Sequence, residues 1–522
     1  MPSAQTGGAV GRLRVAYQPR RCEKRLHFLQ AGFFPSSLQC LVKSSQVKSS
    51  HFWVEQSSQL EFTWTSSWTL CFRKGYTTMS QHGEHATHSW PSDDKICHIV
   101  HESYARLPKT GKPQLGEWTV LAGVVLSRPG AVPQVVALGT GTKCLTAAQI
   151  AADCAGACLH DAHAEVCARR AFLVFLLAEV RRAASCADSP VVQDKKVSSG
   201  GFELKPGVAF HFYSSEAPCG DAAIFPLSPM ASGSCESDET PAKRFKITGA
   251  RPADPSALVA EAASCGSACA LGLVRTKPGR GERTSCMSCS DKLARWHNLG
   301  VQGALLSLLL PDPIRFASVT IGEPSCLEAL SRALRRGEGN VATSRTSAAT
   351  DRILLPEQPR LGLTSHLFEH AATRTDSILP LHPCSNSVIW SAHGLSEAIN
   401  GTSGKRLGSN KKSPSPKHRS LVCKALLLER FLDVVNACPR SQLPVTIREL
   451  PDALADSLGT DSSTEPSSPP LPANYAALKA LAIPYQLRKA QMMAAPPFCD
   501  WVKAPKSSET FSLVRLWTAT CH

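Results

Sequence analysis

Three short segments carry residue types suited to metal-assisted hydrolysis. "HDAHAEVCARR" places His163 two residues before Glu165, "SSEAPCGDA" places Cys219 directly after a proline, and "TSCMSCSDKLARW" offers Cys286 and Cys289. Imidazole and thiolate are the nitrogen and sulfur ligands of zinc. A set of three leaves a fourth position open for water, the arrangement of a catalytic rather than a structural site. A carboxylate close to that water, without being a ligand, can move its proton to a leaving group. Glu165 stands in that relation to His163. A second His-x-Glu, His82-Gly83-Glu84, lies in the polar "QHGEHATHSW" and reads as a solvated tail in which His82, His85 and His88 fall three apart. His163-Ala164-Glu165 differs because a mostly apolar run follows it, so a rigid helix would fix both side chains.

His-x-Glu followed by Pro-Cys is the order found in zinc nucleobase deaminases, where Cys-x-x-Cys supplies two ligands. Here Gly220, Asp221 and Ala222 follow Cys219, so a third ligand has to come from elsewhere, and Cys286 and Cys289 are the candidates. The competing reading is a structural zinc on Cys286-x-x-Cys289. That site needs two further ligands and leaves Glu165 without a task. Pro218 is expected to lead into a new helix, whose free amides would favour a thiolate at Cys219.

The elements that must position these residues follow from periodicity. "SDDKICHIVHESYARL" from Ser92 has a capped start and apolar residues at helical spacing. "EWTVLAGVVL", "VPQVVALGTGTKC", "GVAFHFYSSEAPCGD" and "IRFASVTIG" read as strands, while "KLARWHNLGVQGALLSLLL" and "NYAALKALAIPYQLRKAQMM" read as helical runs. Strands mixed with helices predict an α/β or α+β core. Residues 228–270, 402–418 and 455–473 are rich in Ser, Pro or Ala and are expected to be disordered insertions. Residues 1–78 are expected to be a poorly structured N-terminal extension, with Met79 an alternative start. Their scarcity of acids also overlaps with a transit peptide.

The totals bound the alternatives. A chain of 522 residues with 43% hydrophobic content can bury a large core, while 37 prolines and 34 glycines imply much loop. A net charge of +15 favours a polyanionic partner. The 21 cysteines show no regular spacing, so free thiols or metal ligands in a reducing compartment, cytoplasmic or nuclear, are expected rather than a disulfide scaffold. No apolar run is long enough to span a bilayer, and no secretory signal is expected.

"GTGTKC", "HDAHAEVCARR", "GGFELKPGVAFHFYSSEAPCGDAAIF", "RTKPGRGERTSCMSCSDKLARW" and "GVQGALL" occur in that order. Together they resemble the deaminase domain shared by the adenosine deaminases that act on RNA and on tRNA, over about residues 92–512. The resemblance implies a cytidine-deaminase-like three-layer core, a mixed β-sheet flanked by helices, with additional C-terminal helices around a buried polyanion. It implies zinc on His163, Cys219 and Cys289, with Glu165 as proton shuttle and hydrolysis of adenosine to inosine as the reaction. It further implies inositol hexakisphosphate held by Arg169, Arg170, Lys292, Arg295, Trp296, Lys424, Tyr475, Lys479, Gln486 and Lys489. Asp161 and Lys292 resemble the relay between that anion and the zinc site. Without the resemblance, Arg169 and Arg170 would be expected to reach the surface or to pair with acids.

Three positions depart from the family pattern. His160 stands where an asparagine is usual, Cys286 where a small or hydroxyl residue is usual, and Lys503–Ala504 where some relatives have Glu then Lys. All three are expected to touch the anion cavity, and His160 is expected not to be a ligand. The first 90 residues are too short and irregular to hold a double-stranded-RNA-binding domain. With the "KPGRGER" segment, they favour the tRNA branch, whose substrate is the adenosine 3′ of the anticodon of alanine tRNA. Thr142, Lys143 and Arg283 are the expected RNA contacts. The alternatives are a double-stranded-RNA deaminase without its own RNA-binding domain, or a non-catalytic RNA-binding protein on a deaminase scaffold.

Overall fold

The computed structural model describes residues 90–185, 187–195, 200–226, 245–246, 249–263, 269–278, 282–337, 357–373, 380–408, 416–452 and 474–512. The expected extension 1–78, the His82–His88 group and the insertion 455–473 lie outside them. Strand period decides how the centre is built. In β1 (Leu121–Arg128), Leu121 and Val125 pack with helix α1 (Asp93–Ala105), whose Ile96, Val100 and Tyr104 face them. Ala122, Val124 and Leu126 point the other way into the main core. Gly123 is placed where Val100 presses on the strand, and a Cβ there would come within 2.8 Å of that side chain.

β1 pairs antiparallel with β2 (Ala131–Thr140). A short second hairpin, β3 (Thr142–Cys144) with β4 (Asp161–His163), branches off at Gly141, whose φ of +132° turns the chain out of β2. Helix α2 (Ala147–Ala152) lies between these two strands, and β4 runs straight into α3 (Ala164–Ala184). Further along come β5 (Ala209–Ser214), β6 (Ser318–Gly322), β7 (Arg360–Thr364), β8 (Asn386–Ser391), β9 (Leu395–Asn400) and β10 (Lys405–Arg406). They complete a mixed sheet in the order β7-β6-β5-β1-β2-β8-β9-β10, with β5, β6 and β7 parallel and the remaining neighbours antiparallel.

Helix α3 covers the face opposite α1, and α8 (Lys424–Ala437) packs on the outer side of α3. Being covered on both sides explains why α3 is apolar nearly all round, with Phe172, Phe175, Leu176 and Val180 buried. The strand–helix approach is close at Gly139, where a Cβ would sit 2.4 Å from Cys167 Cβ. The layers are therefore α1, sheet, α3 and α8, an α/β architecture as expected.

Several element boundaries differ from the sequence reading. The run 292–310 divides into α5 (Cys289–Leu299) and a four-residue α6 (Gly303–Leu306), ahead of α7 (Leu327–Arg335), because Gly300 has φ +97° and the Gln302 side chain occupies the space beside it. Pro484 similarly restarts the C-terminal run, giving α9 (Tyr475–Ala480) and α10 (Ile483–Ala494). Pro218 leads only into a single 3-10 turn, Asp221–Ala223, so Cys219 is not at the head of a helix. The interval 228–270 contains helix α4 (Pro255–Ala263), and 402–418 contains β10, so neither is wholly irregular. Among the described residues no helix is long and apolar enough to cross a membrane.

Candidate active site

Three elements deliver the candidate ligands to one point. His163 ends β4 and is the N-cap residue of α3. Cys219 lies in the loop after β5, and Cys289 is the first residue of α5. One ligand atom from each lies within 4.8 Å of the other two, and this is the one such His/Cys/Asp/Glu group among the described residues. Sulfur, sulfur and imidazole nitrogen suit a tetrahedral metal with one position free.

The two cysteine segments are stitched together. Ser290 N–H donates to Cys219 carbonyl at 3.0 Å, Ser290 Oγ donates to Pro218 carbonyl at 2.9 Å, and Cys289 N–H donates to Cys219 Sγ at 3.3 Å. Ser288 caps α5 by accepting from Asp291 N–H and donating to Asp291 Oδ2 at 2.6 Å. Gly220, at φ +105°, passes so close that a Cβ would lie 2.2 Å from Ser288 Oγ. The hydrogen bond from Cys289 lowers the Cys219 thiol well below its ordinary value, helped by Lys277 and His163.

Glu165 lies in the first turn of α3, buried, and its Oε2 has no hydrogen-bond partner among the described residues. Burial pushes its carboxyl up. An uncompensated buried acceptor of this kind is costly unless a group outside the chain satisfies it.

Beneath the ligands is a charged pair that the sequence reading only half named. Asp161, in β4, is joined by Lys292 as expected. It is also joined by Lys277, whose ammonium donates to Oδ1 at 2.9 Å, to Oδ2 at 2.8 Å and to Cys289 Sγ at 3.2 Å. Burial alone would raise the Asp161 carboxyl, but the two ammonium groups outweigh it and hold it below the usual range. Lys277 is itself held well above its ordinary value by Asp161 and the two cysteines, against its own burial. Its motif, "RTKPGRGER", was visible in the sequence, but its complete burial was not.

The expected anion-binding residues converge on the far side of α3. Arg169 lies over the Trp296 ring at 5.2 Å and donates from Nε to Val301 carbonyl at 2.8 Å, and Arg170 donates to Val422 carbonyl. Arg295 lies over Trp501 and reaches Tyr485 Oη at 3.4 Å. Lys479 lies over Tyr475, and Gln486 donates to the Lys479 carbonyl. Burial lowers Arg169 to about 10 and Lys424 to about 8, and it lowers Lys489 as well, with neighbouring cations adding to each. Glu509, missed in the sequence, pairs with Lys424 at 3.3 Å and Lys479 at 2.9 Å. Those two lysines overcome its burial and bring it to about 2.

The three departures differ in placement: burial lowers the His160 imidazole and the nearby Lys424 and Arg170 add to it, so this residue borders the cations. His160 Nε2 donates to the Asp153 carboxylate at 2.8 Å and is no part of the ligand group. Cys286 packs with Cys144 and Cys158 in a small separate apolar cluster. Lys503 and Ala504 are exposed. Of the expected RNA contacts, Thr142 and Lys143 lie on β3, opposite His163 and Ala162, while Arg283 is exposed and its carbonyl accepts from Ala147 N–H.

The adenosine-deaminase (editase) domain family matches residues 137–505. The tRNA-specific adenosine deaminase 1 of Drosophila melanogaster is 34% identical over 354 residues, covering 67% of this chain and 84% of its own. The protein of that name from Homo sapiens is 29% identical over 468 residues, covering 69% and 91%. The double-stranded RNA-specific adenosine deaminase of Mus musculus is 32% identical over 238 residues, covering 44% and 19%. The chain belongs to the adenosine-deaminase (editase) domain family and is an enzyme acting on adenosine.

Proposed function

We propose that this enzyme hydrolyses adenosine to inosine in tRNA, releasing ammonia, at the adenosine 3′-adjacent to the anticodon of alanine tRNA. The observation that carries the reading is the convergence of His163, Cys219 and Cys289 beside the buried Glu165, whose Oε2 has no hydrogen-bond partner among the described residues. Zinc held by those three side chains would supply a Lewis acid that makes a water molecule acidic near neutral pH. Glu165 Oε2 takes the proton of the attacking water and delivers it to the purine as the amino nitrogen departs. A carboxyl pushed up by burial suits both halves of that transfer. Lys277 and Lys292 hold Asp161 ionised, and Lys277 also donates to the Cys289 sulfur, which fixes that ligand's orientation.

The cluster of Arg169, Arg170, Arg295, Lys424, Lys479 and Lys489 fits a buried polyphosphate, and inositol hexakisphosphate is the ligand we assign to it. Burial and mutual repulsion disfavour the charged forms of Arg169, Lys424 and Lys489, and among the described residues Glu509 is the carboxylate that answers this group, beside Tyr475 and Tyr485. An anion there would restore them. An exposed anticodon loop asks less unstacking than a duplex when a base is extracted. The tRNA-specific relatives also align along most of their length, whereas the duplex-specific one aligns over a fifth.

The test is inosine formation on alanine tRNA and on a long RNA duplex, with wild type and Glu165→Gln. Wild type is expected to act on the tRNA, and the variant to lose about 10²–10⁴-fold while keeping its zinc. Preference for the duplex would transfer the reading to the double-stranded-RNA branch. Equal rates for variant and wild type would overturn the mechanism.

A further inference from the structure

Cys286 departs from the family pattern and has no part in the mechanism above. It lies on the segment that leads into α5, three residues before Cys289. Its thiol donates to the His160 carbonyl at 3.6 Å, and its own carbonyl accepts from Lys277 N–H at 2.8 Å. Cys144 ends β3, directly opposite Asp161 of β4. The two cysteines belong to one small apolar cluster with Leu145, Ile150 and Cys158. This cluster joins the strand that carries Thr142 and Lys143 to the segment that carries Cys289.

We propose that Cys144 and Cys286 form a redox-modification site, a dithiol that peroxide closes into a reversible disulfide without oxidising the candidate metal ligands. The Cys286 sulfur attacks a peroxide oxygen, the O–O bond breaks, and the departing hydroxide takes a proton to become water. Cys286 is left as a sulfenic acid. The Cys144 sulfur then attacks the Cys286 sulfur, the S–S bond forms, and the S–O bond breaks. The second hydroxide takes the Cys144 proton as water. Two thiols lose two electrons and one peroxide gains them.

The environment supports this order of events. Contact with Cys144 draws the Cys286 thiol down to about 7, against its burial, which favours Cys286 as the attacking sulfur. The same contact, with burial, raises Cys144. Cys286 is 7% exposed and Cys144 half-buried, so Cys144 is the more accessible of the two. Once formed, the cross-link would draw β3 toward the α5 segment and shift the Thr142–His163 register that flanks the site. Cys219 and Cys289 lie outside the pair, so metal would be retained.

The experiment is limiting hydrogen peroxide on reduced protein, alkylation of the remaining thiols, and non-reducing peptide mapping by mass spectrometry. Wild type, Cys286→Ser and Cys144→Ser are treated alike, and zinc content is measured beside them. A linked Cys144–Cys286 peptide is expected in wild type alone, reversed by dithiothreitol, with zinc unchanged. Retention of both thiols while the exposed Cys154 and Cys499 oxidise would overturn the site, as would loss of zinc with oxidation of Cys219 or Cys289. These readouts do not depend on the substrate assigned above. With that substrate, the cross-linked protein is expected to form inosine several-fold more slowly and to recover on reduction, while Cys286→Ser stays insensitive. An unchanged rate in the cross-linked protein would remove the regulatory consequence.

Discussion

Lys277 touches both oxygens of Asp161 and the sulfur of Cys289, so one ammonium holds a buried carboxylate and a candidate ligand at once. Replacing it by methionine keeps the length but leaves the carboxylate with Lys292 alone. Lys277→Met is expected to lower kcat for inosine formation by about 10–100-fold and to weaken zinc retention against a chelator. The Asp161 pair also has a pH signature. Its folded-state pKa is depressed, so its stabilisation is complete above the unfolded carboxylate value near 4. It is lost only as pH falls below that value toward the folded one. The melting-temperature gap between wild type and Asp161→Asn should therefore be constant from pH 8 to about pH 5 and narrow below about pH 4. A gap that already closed near pH 6 would assign the effect to another group. Breaking such a buried pair costs about 3–5 kcal/mol.

At the scale of elements, the caps and the close approaches decide how well the site is held. Ser288 fixes the first turn of α5, whose first residue is Cys289. Ser288→Ala is expected to cost about 1 kcal/mol in unfolding free energy. It should also speed metal loss to a chelator, a change that a purely global effect of that size would not give under strongly folding conditions. Helix α1 carries an acid-sensitive contact. His101 Nε2 meets Tyr213 Oη at 2.7 Å, and burial, with His366 and His98 nearby, lowers its pKa to about 4. A histidine whose folded pKa lies below its unfolded one stabilises above about pH 6.5, and that contribution fades as pH falls toward 4. His101→Gln should flatten the decline of melting temperature between those two values. Preservation of the wild-type slope would assign it to another buried group, such as His297, which burial also lowers to about 4.

On the scale of the whole molecule, α3, α5, α8, α9 and α10 bring their cations to one interior region. The basic balance of the chain is thus partly internal. Neutralising one cation has opposite signs with and without a bound anion. If the cluster is filled by a polyphosphate, Lys424→Met lowers the melting temperature and the yield of inositol phosphate released on denaturation. If it is not, the same variant relieves repulsion and raises the melting temperature. We expect the first outcome, with about one polyphosphate per wild-type chain by phosphate analysis.

What was legible in the sequence was local. Period-two and helical spacing located β1, β5 and α1, and the family resemblance implied His163, Cys219, Cys289 and Glu165 where the residues alone left Cys286 and Cys289 open. The breaks at Gly300 and Pro484 were written in single residues inside otherwise helical patterns, and apolar periodicity overrode them in the reading. The tertiary structure alone decided which charges meet. Lys277 and Asp161 stand 116 residues apart, and Lys424 and Ser508 stand 84 apart. A lysine in "TKPGRG" or a glutamate in "SSET" looks like any solvated charge until the chain has closed around it. The same holds for Cys144 and Cys286, each unremarkable alone. Residue types and short-range spacing determine which chemistry a segment can support. Desolvation and long-range pairing, which set the protonation states that chemistry needs, exist only once the layers have packed.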